Sequence, residues 1–145
     1  MKEKTMLDLA ISDYNAAVIL FNSLTQVTDE NIINLASYHL EQAVEKAIKF
    51  VIENNGHEFP KTHNIESLIS YAKENDIDLY LNDYIIDHSE MFSAWEAKTR
   101  YVIDYLVDKE KVEKSIPHVS RYLDDVVEYE TETELSDEDD KGIML

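Results

Sequence analysis

Apolar residues recur at steps of three and four along most of the chain, the period of helices with one buried face. The clearest case runs from Ala36 to Ile52, read ASYHLEQAVEKAIKFVI, where Ala36, Leu40, Ala43, Ala47 and Val51 form one stripe. Beside it lie His39, Gln42, Lys46 and Lys49, again three or four apart. Such a rail is a partly buried polar seam, a ligand wall, or a solvated face with a Glu45–Lys49 pair contributing about 0.3 kcal/mol.

The same period predicts a first helix over roughly residues 4–25, with Leu7, Ala10, Tyr14, Ala17, Phe21 and Leu24 on one face. Thr28 or Asp29 is suited to cap a second helix over about 29–54, which ends at Asn54-Asn55-Gly56. After the loop from His57 to His63, Thr62 or Asn64 caps a third helix with the stripe Ile65, Leu68, Ile69 and Ala72, ending near Asn75-Asp76. Tyr80, Leu81, Tyr84, Ile85, His88, Met91, Phe92 and Trp95 fit a further helical stripe, with Asp87 or Ser89 as interruptions. Residues 101–107 are β-branched and aromatic, but have no strand partner, so the expectation is an irregular or short helical connection. A last helix covers about 108–130 through Val112, Ile116, Val119, Tyr122, Leu123 and Val126, with Pro117 kinking it or dividing it in two. From Thr131 the chain reads TETELSDEDDKGIML, the composition of a disordered acidic tail. The expected fold is all-α: a bundle of four to five helices over residues 1–130, followed by a tail over 131–145.

Composition sharpens this. A chain of 145 residues suits one domain with a real core, and two glycines and two prolines are too few for a hairpin-rich β protein. Cysteine is absent, which removes disulfides, thiolate catalysis and thiolate zinc sites. Asp8 and Asp13 interrupt the N-terminal apolar segment, unlike a signal peptide, and the longest apolar run, Ala16 to Phe21, is far short of the roughly 20 residues that cross a bilayer. A soluble, cytoplasmic protein is expected. The net charge is −18, and from Glu128 onward eight acids face one lysine. An acidic body with only two arginines, Arg100 and Arg121, is a poor non-specific binder of nucleic acid, although a small basic pocket is compatible with it.

Four blocks, in order, resemble the HEPN domain. They are Ala10-x-x-Asp13-x-x-x-Ala17, Gln42-Ala43-x-Glu45-Lys46-x-x-Lys49, Thr62-His63-Asn64-Ile65-x-x-Leu68 and Arg100-Tyr101, and they cover about residues 5–127. The resemblance implies an up-and-down helical bundle, usually a homodimer, often encoded beside or fused to a minimal nucleotidyltransferase. Some members are toxin RNases, which carry an Arg followed after four to six residues by a His that does acid–base work. Neither Arg100 nor Arg121 is followed by a histidine in that range, and His118 precedes Arg121. No catalytic residue is therefore carried over.

The candidate ligand-binding residues are His39, Gln42, Lys46, His63 and Arg100. His63 stands at the mouth of a pocket near Lys46 and Arg100, or packs to fix its loop. Gln42, Glu45 and Lys46 bind a ligand or form an internal network, and Arg100 meets a phosphate or a neighbouring carboxylate. The five histidines show no metal-ligand spacing, the Asp137–Asp140 run lacks the features of a calcium loop, and no cofactor is implied. The stripe Tyr80, Tyr84, Phe92 and Trp95 reads as core or dimer interface. These readings converge on a non-catalytic HEPN-type module that dimerises and docks a nucleotidyltransferase or binds a nucleotide-like anion. The alternatives are a divergent toxin RNase using Arg100 with His63 or His118, and an antitoxin-like neutraliser whose acidic tail covers a basic partner.

Overall fold

The computed structural model describes residues 3–27 and 29–143. Six helices follow in order: α1 (Met6–Ser23), α2 (Asn31–Asn54), α3 (Ile65–Glu74), α4 (Asp83–Asp87), α5 (Ser89–Tyr101) and α6 (Lys109–Ile143). No strand occurs among the described residues, so the all-α bundle is the observed architecture.

Local chemistry sets the ends. Thr5 caps α1 in a reciprocal box, accepting from the Asp8 amide at 3.3 Å while Asp8 accepts from the Thr5 amide at 2.9 Å. α2 starts later than expected. Asp29 accepts from the Asn31 amide at 3.0 Å, and Glu30 occupies the cap position without a side-chain bond; Thr28, the other expected cap, lies outside the described residues. Gly56, at φ 83°, closes α2 because His57 N–H reaches the Ile52 carbonyl at 3.3 Å and Gly56 N–H the Glu53 carbonyl at 2.9 Å. Asn64 caps α3 by accepting from Ser67 N–H at 2.8 Å. Asp76, at φ 54°, ends it with the same paired bonds to Ala72 and Lys73.

α2 is the centre. It packs against α1, α3, α5 and α6, and its stripe Ala36, Leu40, Ala43, Ala47 and Val51 is completely buried. A second line along it, Val44, Ile48 and Ile52, is equally buried, so two faces of this helix are interior. Phe92 and Trp95 of α5 meet edge to face at 5.2 Å in the core, and buried Tyr122 of α6 donates to the Leu79 carbonyl at 3.0 Å.

The region after α3 divides at His88, which ends α4 and begins α5, adjacent to both expected interruptions. Residues 102–108 form an irregular link containing a turn, as expected for a β-branched stretch with no strand to pair with. Pro117 lies inside α6 without splitting it into two helices. α6 also runs through 131–143, where composition predicts a disordered tail. There the Thr131 and Thr133 hydroxyls donate back to the Val127 and Tyr129 carbonyls at 3.0 and 2.9 Å, and each added residue extends an existing helix at little cost. Among the residues whose side chains are described, the last buried core residue is Val126.

Candidate functional site

The polar rail of α2 is two lines rather than one. At 100° per residue, His39 and Lys46 share an azimuth, as do Gln42 and Lys49, and the two lines lie about 60° apart. One line meets α1 and the other meets the loop before α3.

On the α1 side, Asp13 gathers both partners. Its Oδ1 lies 2.8 Å from His39 Nδ1, and its Oδ2 accepts from Lys46 Nζ at 2.6 Å. Burial pushes the Asp13 carboxyl up, but the bonds from His39 and Lys46 outweigh it and hold the group below the ordinary range.

On the α3 side the polar groups are interior. Gln42 Nε2 donates to Glu41 Oε2 and to Glu45 Oε2, both at 2.8 Å. Glu45 Oε1 accepts from Lys49 Nζ at 2.9 Å and lies 2.7 Å from His63 Nδ1. Burial would raise the Glu45 carboxyl, yet the Lys49 and His63 bonds hold it below the ordinary value. Glu41 is the opposite case. Burial, then the charge of Glu45, push its carboxyl up to about 10, and Glu96 on α5 adds to the repulsion. Its Oε1 alone among the buried side-chain oxygens and nitrogens described has no hydrogen-bond partner. Glu41 is therefore a neutral acid at pH 7, beside an ionised Glu45.

Arg100 belongs to a third place, where α5 ends beside the start of α2. Its guanidinium pairs with Glu96 at 2.8 Å and lies 4.9 Å from the Tyr101 ring and 5.8 Å from the Tyr38 ring. It borders an open cavity of about 400 Å³, lined also by Asn31, Asn34, Leu35, Tyr38 and Thr99. Asn34 fixes the neighbouring loop with both halves of its carboxamide. Nδ2 donates to the Tyr105 carbonyl at 2.7 Å, and Oδ1 accepts from Val107 N–H at 2.9 Å. Val107 of this loop is buried, but other apolar side chains at this end face outward: Ile103 is 95% exposed and Tyr101, the last residue of α5, 72%, with Val102, Leu106 and nearby Leu35 also exposed.

The five candidate residues thus fall into three places. Gln42 and His63 meet through Glu45, His39 and Lys46 meet at Asp13, and Arg100 stands with Glu96. The expected pocket joining Gln42, Lys46, His63 and Arg100 is not formed, because Lys46 leans across α1 and because Glu45 and Glu96 each hold a separate cation. His118 stacks on the Tyr84 ring at 4.0 Å, and His88 covers the other face of that ring. Sequence reasoning missed Glu41, Glu96 and Asn34. For Glu41 a signal existed: it lies three and seven residues before Val44 and Ile48, an acid within an apolar line.

Among the described residues, no helix is long and apolar enough to cross a membrane. Comparison with curated proteins and with solved structures gives no match. The family model described as HEPN domain matches residues 6–133, from the first residue of α1 into the extension of α6, and the chain belongs to the HEPN domain family.

Proposed function

We propose that this chain is a non-catalytic HEPN-type assembly module that pairs with a second copy through the end of the molecule formed by Leu35, Tyr101, Val102, Ile103 and Leu106. The observation that carries the reading is Ile103, 95% exposed in a loop whose following residues, Tyr105 and Val107, are both held by Asn34. A large apolar side chain held rigidly in water is costly to leave uncovered, at roughly 25 cal/mol per Å². The neighbouring cavity is of a size to receive such a side chain from a partner, so a two-fold arrangement makes the surface self-complementary. A non-catalytic role is supported by the sequence, in which neither Arg100 nor Arg121 is followed after four to six residues by a histidine, and by His118, which stacks on the Tyr84 ring. The dimer is the form that docks a nucleotidyltransferase partner.

Light scattering after size-exclusion chromatography tests this. The expected result is a dimer at micromolar concentration that Ile103→Asp converts to a folded monomer. A wild-type monomer under the same conditions sinks the proposal.

A second role has its own observation, the Arg100 cavity flanked by Tyr38 and Tyr101, which has the cation and ring faces to accept a nucleotide-like anion. Titration with a nucleoside triphosphate should give saturable binding that Arg100→Gln weakens about tenfold. Equal binding by the variant would remove Arg100 from that role.

A further inference from the structure

His63 is the residue before the α3 cap, and its backbone is fixed on both sides. Thr62 Oγ1 accepts from Asn64 N–H at 3.0 Å, and Asn64 Oδ1 accepts from Ser67 N–H at 2.8 Å. Its ring has two unlike ends. Nδ1 lies 2.7 Å from Glu45 Oε1, whereas the side chain as a whole is 63% exposed. Glu45 is itself only 2% exposed and is anchored by Lys49 and Gln42. An ionised carboxylate offers only acceptors, so Nδ1 carries the proton and Nε2 keeps its lone pair. A buried carboxylate behind an imidazole also stabilises positive charge that the ring acquires.

We propose that His63 Nε2 is a phosphoryl-acceptor site, modified by small donors with a labile phosphorus–nitrogen or acyl–phosphate bond. With phosphoramidate as donor, the Nε2 lone pair attacks phosphorus and a new N–P bond forms. The donor P–N bond breaks, and its electron pair leaves on ammonia. Nδ1 keeps its proton throughout, and the positive charge left on the ring faces Glu45. The surroundings suit an anion more than the acidic composition suggests. The positive end of α3 is adjacent and Lys49 shares Glu45 Oε1 with His63, while Glu66 in the first turn of α3 accepts from Ser93 Oγ at 3.2 Å. A metal needs several convergent ligands, and His63 is paired with one carboxylate; no such group of three occurs among the described residues. Glu45 is a positioning residue in this scheme, since it acts on the incoming group only through the ring.

The test incubates the full chain with phosphoramidate and follows N–P formation by phosphorus NMR, with peptide mass spectrometry to locate the label. Labelling at His63 ahead of His39, His57, His88 and His118, on Nε2, supports the proposal, as does its loss in His63→Gln. Glu45→Gln should slow the reaction about tenfold. Nitrogen NMR of the wild-type imidazole needs no variant and guards against a Glu45→Gln chain that fails to fold. It should report the Nδ1–H tautomer at His63. Uniform labelling of the five histidines, labelling on Nδ1, an unchanged rate in folded Glu45→Gln, or an Nε2–H tautomer would each overturn it.

Discussion

The Glu45 seam and the Arg100 end invert the usual partition of side chains in opposite directions. The seam puts charged groups inside; the Arg100 end puts large apolar groups outside. The seam is settled within the chain, because Lys49, Gln42 and His63 supply Glu45 with partners and Glu41 gives up its charge. Among the described residues nothing covers Ile103, and Tyr101 is left largely exposed beside Arg100. An interior irregularity that is locally compensated speaks for architecture, and an exterior one left open speaks for a partner.

Breaking the seam should have the largest effect. Lys49→Met leaves the buried Glu45 carboxylate without its main counter-charge, and should cost about 3 kcal/mol in urea unfolding. A loss below about 0.5 kcal/mol would show that water reaches the seam and that the pair behaves as a surface one.

Glu41→Gln should act in the other direction. The folded carboxyl titrates near 10 against an ordinary value of 4.5. Between those values folding takes up a proton, so the contribution of Glu41 is full below pH 4.5 and is lost as pH rises towards 10. The variant should therefore gain on the order of 1–2 kcal/mol at pH 8, with a flatter stability profile on the alkaline side. An unchanged slope would mean that Glu41 is ionised in the fold.

Asp13→Asn is a smaller test on the half-exposed side of α2, with an expected cost of about 1 kcal/mol. Asp13 and Glu45 are both held below their ordinary values of 3.8 and 4.5, so their contributions are present above those values and are lost as pH falls through the lower folded ones. The acid side of the wild-type profile should flatten in Asp13→Asn, which urea midpoints between about pH 2 and 5 would read.

The helix positions were legible because the apolar period is strong: every residue of the Ala36–Val51 stripe is buried. Membership of the HEPN family was legible in four short blocks that together span most of the matched length. Pairing along the rail was not legible. A period places His39, Gln42, Lys46 and Lys49 near one face, but which neighbour each meets depends on where α1 and the loop before α3 lie. The acidic segment after residue 130 bears on a different point, since α6 continues into it without a core. Composition reports whether a segment can build a core, and helix can propagate from a stable end without one.

The most direct measurement of the central contrast is a dilution series followed by residue-resolved NMR. Self-association through the open end predicts shifts on dilution that are confined to Leu35, Tyr38 and residues 100–106, while the signals of Gln42, Glu45 and His63 stay fixed. Shifts centred on the Glu45 seam, or a spectrum that does not change across a dilution over which light scattering passes from dimer to monomer, would contradict it.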